Sequence, residues 1–142
     1  MVKSLVISDF NRRVLFLSCI MAGSVHDYEM MKRVFRPGSP WFKKIHVWLD
    51  LGFLGADKDY PDPKIHLPHK KPRKSKNNPD PQFTPEQKKE NRKQAAMRVV
   101  VEHAIGGMKS FHCLTHRIRN HLSHIVDYFF SLSAGLWNYK IC

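Results

Sequence analysis

Apolar and polar residues alternate early in the chain, and the spacing lengthens later. "VKSLVIS" and "RVLFLSCIMAG" are two strand-like runs parted by "DFNR", whose Asp9 and Asn11 favour a turn, so the pattern predicts a β-hairpin over residues 2 to 22. Val25, Met30, Val34 and Phe35 then recur at helical spacing behind Ser24, a candidate N-cap, which predicts a helix over about 26 to 35, closed by "RPGSP". "IHVWLD", residues 45 to 50, is a short buried strand ending on Asp50.

Residues 57 to 84 break the pattern: six of the nine prolines fall there, with a dense Lys/Arg cluster, and the composition predicts an extended loop or insertion. "TPEQ" restarts regular structure, with Thr84 as cap, Pro85 at the first helical position and Gln87 completing a capping box. That helix is expected to run to about Ile105 and stop near Gly106–Gly107, and a second is expected over 121 to 138. No internal repeat is visible. The order β-β-α-β, long loop, α, α predicts an α/β chain with a mixed sheet and flanking helices.

Length and charge add a partner to this outline. A chain of 142 residues suits one domain with a real core. Its 24 Lys and Arg against 12 Asp and Glu give a formal charge of +12, which favours a polyanion, nucleic acid before an anionic membrane. The sharpest concentration is "HKKPRKSK", where Lys70, Lys71, Arg73 and Lys74 can neutralise phosphates and release counterions. Three widely spaced cysteines form no disulfide framework and suit a reducing compartment. "VLFLSCIMAG" is too short to span a bilayer, and the strand pattern on both sides of Arg12 and Arg13 argues against a signal peptide, so a cytoplasmic protein without membrane contact is expected. His112, Cys113, His116, His121 and His124 lack the paired Cys-x-x-Cys spacing of a zinc site and read as a basic connection. Tyr128, Phe129, Phe130 and Trp137 read as core or interface.

Within so basic a chain, three carboxylates stand at structural punctuation: Asp27 past the second strand, Asp50 at the end of the third, Glu102 on the long helix. Converging carboxylates suit Mg²⁺ or Mn²⁺, which take oxygen ligands and keep water and phosphate in the remaining positions. Each has a plain structural alternative. Asp27 complements a helix dipole, Asp50 is a strand-to-turn residue, and Glu102 pairs with Arg98 one turn away. Val99, Val100 and Val101 predict that the face carrying Glu102 is partly buried, where a carboxylate needs a partner. On an unbroken helix Arg98, Glu102 and Lys109 fall within about 40° of one another.

"GSVHD", "WLDLGFLG" and "TPEQKKENRKQAAMRVVVEHAIGGMKSF", in that order, resemble the C-terminal part of a DDE transposase, in the branch of insertion-sequence transposases related to the Harbinger nucleases. Arg98, Glu102 and Lys109 fit that family's Arg, three residues, Glu, six residues, Lys signature, although Ala95 stands where the family has Tyr. The resemblance implies a ribonuclease-H-like fold and a metal-dependent DNA endonuclease and strand transferase, with Asp50 and Glu102 catalytic. Asp27, Asp50 and Glu102 would be metal ligands, with the second triad position open between the two aspartates. Arg98 and Lys109 would contact phosphate or the transposon end. The family's first acid, in an Asp-Gly-Thr-like segment on a first strand, has no counterpart, and Asp9 in the hairpin turn is no substitute. The expectation is therefore a partial, truncated catalytic domain over 1 to 142, first strand missing, with little or no cleavage by itself. Its partners would be transposon ends and target DNA, with an upstream reading-frame product or a full-length transposase, in a bacterial cytoplasm at the nucleoid. The alternative is a non-catalytic basic nucleic-acid-binding protein whose acids are structural.

Overall fold

Every strand among the described residues is short, and hydrogen bonds join these strands in pairs. The computed structural model describes residues 1–61, 64–119 and 121–142. Along the chain run β1 (Val2–Lys3), β2 (Val6–Ser8), β3 (Val14–Leu17), β4 (Met21–Ala22), α1 (Asp27–Val34), β5 (His46–Trp48), α2 (Ala56–Asp59), β6 (Lys64–His66), α3 (Pro85–Lys109) and α4 (Ser123–Ile141). The mixed α/β class is as expected; the described strands form three two-stranded ladders, β1–β4, β2–β3 and β5–β6. The chain divides into two units, Met1–Val34 with Val99–Cys142, and Phe35–Arg98, and α3 runs from the second into the first.

In the first unit the predicted hairpin is present, β2 and β3 pairing antiparallel next to the turn and β1 and β4 closing the far end. Asp9 makes the turn: its Oδ1 accepts the amides of Asn11 and Arg13, both at 2.9 Å, and Arg12 takes a φ of 66°. Between the ladders the hairpin is held by hydroxyls, with Ser4 Oγ donating to Ser18 O at 2.6 Å and Leu5 N–H donating to Ser18 Oγ at 2.8 Å. Helix α4 then supplies side chains where a third strand would supply backbone. Asn138 accepts from Val14 N–H and donates to Val14 O, each at 2.8 Å; Asp127 accepts from Ile20 N–H at 2.6 Å; Trp137 Nε1 donates to Arg12 O at 2.8 Å. Val14, Ala104, Met108 and Ala134 form the buried core, with Val6, Leu17, Leu114 and Trp137 packed round it.

Three expectations change here. Helix α1 begins at Asp27, so His26 and not Ser24 precedes it. Helix α3 does not stop at the glycine pair but continues to Lys109. A Cβ on Gly107 would lie 2.3 Å from two ring carbons of Trp137, so this glycine is a close-packing position and no terminator. Glu102 is exposed, as is Val99. The buried residues of this stretch are Ala104, Gly107 and Met108, about 120° or more around the helix from Glu102. Small residues, and not the three valines, mark the inner side. Of the five aromatics on α4, Tyr128 and Tyr139 are exposed while Phe129, Phe130 and Trp137 are half-buried.

The second unit has few aliphatic residues to bury and builds on rings. Phe35, Phe42 and Tyr60 are buried edge to face, Phe35 and Phe42 with centroids 4.8 Å apart and Phe42 and Tyr60 6.2 Å apart. Tyr60 donates its hydroxyl to Phe35 O, and burial, aided by Asp59, pushes the phenol pKa up, so the donor proton is retained. The region expected as a bare loop contains α2, whose Ala56 is fully buried, and β6, which pairs in parallel with β5. Residues 62 and 63 of that region lie outside the described residues. Beyond β6 the chain is tethered to α3: His69 N–H donates to Asn91 Oδ1 at 2.7 Å, Asn91 Nδ2 returns a bond to His69 O, and the His69 ring pairs with Glu90. The capping box at the start of α3 is complete, Thr84 N–H to Gln87 Oε1 at 3.1 Å and Gln87 N–H to Thr84 Oγ1 at 3.2 Å. No helix among the described residues is long and apolar enough to cross a membrane.

Candidate functional site

The second unit holds one of the three carboxylates. β5 ends where Asp50 turns the chain into a short 3-10 turn, Leu51–Phe53, and the Asp50 side chain caps that turn by accepting Leu51 N–H at 2.6 Å. The same Oδ1 lies 3.3 Å from an NH1 nitrogen of Arg98, which reaches it from α3. Asp50 is thus both a cap, as its strand-to-turn position suggested, and one half of an ion pair on a half-exposed surface.

Asp27 and Glu102 belong to the other unit. Asp27 opens α1, where an acid complements the helix dipole, and its Oδ1 is 3.0 Å from the Nζ of Lys3 on β1. Glu102 is exposed on α3, and Lys109 is the last residue of that helix, where a cation suits the dipole. Lys70, Lys71, Arg73 and Lys74 are all exposed in the second unit, and no ion pair among the described residues engages them. Their charge therefore faces solvent, the state a phosphate contact requires.

Among the described residues no three His, Cys, Asp or Glu side chains gather into a group able to hold a metal ion. The donors themselves suit a hard cation. All three are carboxylates, and Mg²⁺ takes only one or two from protein when phosphate and water fill the remaining positions. What opposes a cation is occupancy, since Lys3 and Arg98 already neutralise Asp27 and Asp50.

Beside Asp50 lies a cluster that hydrophobic patterning missed. β5 and β6 pair His46 with Lys64 and Trp48 with His66, which sets these four side chains on one face and Val47 with Ile65 on the other. His46 Nδ1 and His66 Nε2 are 3.0 Å apart, one donating and the other accepting according to tautomer. The three ring planes are nearly parallel: 12° between the imidazoles, 11° between Trp48 and His66 and 22° between His46 and Trp48, with centroids 4.7 to 5.8 Å apart. Burial, then His46, then Lys64 hold the His66 pKa below the ordinary imidazole value. The clue in the sequence was the alternate placing of His46 and Trp48 just ahead of Asp50.

A profile of the DDE superfamily endonuclease family matches residues 1–138. The chain belongs to that family. No curated protein and no solved structure matches it. As a DDE superfamily endonuclease the protein has DNA as its substrate class and a transposase-like nuclease function, and endonucleases of this superfamily generally depend on divalent metal.

Proposed function

We propose that the protein is an insertion-sequence transposase of the Harbinger-like branch, built on a ribonuclease-H-like catalytic fold, which cleaves DNA and transfers strands with Mg²⁺ or Mn²⁺. The observation that carries this reading is the family match over residues 1–138. Asp50 and Glu102 are the catalytic, metal-holding acids, and Asp27 is a further ligand. Continuity of α3 through its glycines supports the role of Arg98, Glu102 and Lys109, because their spacing acts as one helical face only on an unbroken helix.

A bound cation supplies charge stabilisation to the phosphodiester oxygens. The chain's own residues prepare its place. Asp50, fixed by the Leu51 amide, presents a carboxylate in a set direction. Arg98 pairs with Asp50, and where a cation is held there it would contact DNA phosphate instead. Lys109 makes a second phosphate contact, and Lys70, Lys71, Arg73 and Lys74 track the backbone of transposon end or target. The chain by itself gives little or no cleavage, since the family's first acid has no counterpart among these residues, and a full-length transposase or an upstream reading-frame product is the partner that raises it. The ion pairs of Lys3 with Asp27 and of Arg98 with Asp50 favour the second reading, a basic DNA-binding protein whose acids are structural.

Mn²⁺ titration followed by electron paramagnetic resonance, with and without duplex DNA, separates the two. The transposase reading expects binding that Asp50→Asn and Glu102→Gln each weaken about ten-fold or more. Absence of Mn²⁺ binding with DNA present leaves the structural reading. Mg²⁺-dependent nicking by the chain alone, lost in Glu102→Gln, would overturn the expectation of little or no cleavage.

A further inference from the structure

We infer that the face of the β5–β6 ladder carrying His46, Trp48, Lys64 and His66 is a stacking platform for an unpaired nucleobase of the DNA strand held beside Asp50. The inference rests on the proposed DNA reading and adds a subsite to it.

Three observations carry it. The rings are already aligned, their planes within 22° of one another, and the His46–His66 hydrogen bond fixes that alignment before any ligand arrives. A further flat ring can then join the stack with little reorganisation. The face is charged as a strand-binding surface needs, with the exposed Lys64 next to the imidazoles and the exposed Lys70, Lys71, Arg73 and Lys74 further along the same unit. Its position is the third. Trp48 lies two residues before Asp50, so a nucleotide flanking a phosphate at Asp50 comes within reach of the rings.

The chemistry selects unpaired bases. In a duplex both faces of each base are covered by neighbours, so an aromatic platform gains nothing unless a base leaves the stack. An unpaired base presents a free face to any ring, and stacking of this kind tolerates every base identity. Strand breakage and joining expose such bases, which gives a platform next to the proposed acids a task. It would hold the flanking nucleotide so that the phosphate keeps its place. A cross-strand stack can also serve only to steady a short ladder. The experiment therefore reads something that a steadier ladder would not change.

The full chain is titrated, by fluorescence anisotropy, against three labelled oligonucleotides: a single strand, the same strand with abasic positions through its middle, and the blunt duplex. The phosphates are alike in the two single strands, so their difference isolates the bases. The wild type is expected to prefer the base-bearing strand over the abasic one about ten-fold. Trp48→Ala removes that preference, and Trp48→Phe, which keeps a ring, restores most of it. Equal loss on both single strands in Trp48→Ala marks a packing role and overturns the platform. So does a wild type that binds duplex yet does not distinguish base-bearing from abasic strand, an outcome that leaves the DNA reading standing. A wild type that binds none of the three removes the DNA reading, and the platform with it.

Discussion

The two units of this endonuclease hold themselves together by different means. In Met1–Val34 with Val99–Cys142, small and aliphatic residues interlock, and α4 lends Asp127, Trp137 and Asn138 to complete the backbone bonding of the hairpin. In Phe35–Arg98, three buried rings and side-chain tethers such as Asn91 to His69 steady a stretch rich in proline and lysine. The first solution leaves no room for an added atom at its closest contact. The second has a small apolar nucleus and carries a dense run of exposed Lys and Arg. Most of the excess positive charge of the chain indeed lies in the second unit.

The contrast can be broken at its strongest points first. Phe42→Ala removes the ring shared by Phe35 and Tyr60 and is expected to cost about 3–5 kcal/mol of unfolding free energy, read by denaturant titration. A loss below about 1 kcal/mol would mean that the rings are not the nucleus of that unit. Next comes the glycine pair. Gly107→Ala drives a methyl into Trp137 and should destabilise by about 1–3 kcal/mol. Gly106→Ala meets nothing within 4 Å and should be neutral or stabilising by up to about 1 kcal/mol. Equal thermal shifts for the two neighbours would remove the close-packing argument.

Surface charge should matter much less to stability. Arg98→Met breaks a half-exposed ion pair and is expected to change unfolding free energy by no more than about 1 kcal/mol, even though the residue is proposed to contact DNA phosphate. A larger loss in denaturant titration would make the pair a structural element.

The smallest effect is that of pH on the ring cluster. His66 holds its proton less tightly in the folded chain than in the unfolded one, so the unfolded chain binds more protons as pH falls below 6.5. The contribution of His66 to stability is therefore complete above 6.5 and declines as pH falls through the lowered value. The thermal midpoint should drop slightly between about pH 7.5 and pH 5.5, and His66→Gln should flatten part of that drop. An unchanged slope in the variant would assign the pH response to other groups.

These contrasts also decide how far each region could be read from residues alone. The hairpin, α1, α3 and α4 were legible because their periodicity runs over many positions, and Thr84 with Gln87 announced the start of α3 directly. β6 was not, since three residues with one apolar member among prolines and lysines carry no period. Three conspicuous valines point to a partly buried face for Glu102, whereas the inner side of the helix is written in Ala104, Gly107 and Met108. The acids themselves could be picked out from their places at element ends. Their partners could not, because Lys3 and Arg98 lie far along the chain from Asp27 and Asp50, and spacing on one element does not reach across a fold. The His46–Trp48–His66 stack stayed hidden for the same reason as β6, the strand that completes it.

The way Asn138 finishes the hairpin has a consequence for the newborn chain. Val14 and Asn138 are 124 positions apart, so at ordinary synthesis rates the amide that closes the edge of β3 follows Val14 out of the ribosome by roughly 6–25 s. For that interval the nascent hairpin carries an open edge, with Phe10 and Leu15 on its surface even in the finished protein. Helix α4, made late, is thus the hairpin's own guard against pairing with a neighbouring chain. A ribosome stalled before Ser123 would hold out a sticky ribbon, which is where a chaperone would be expected to bind.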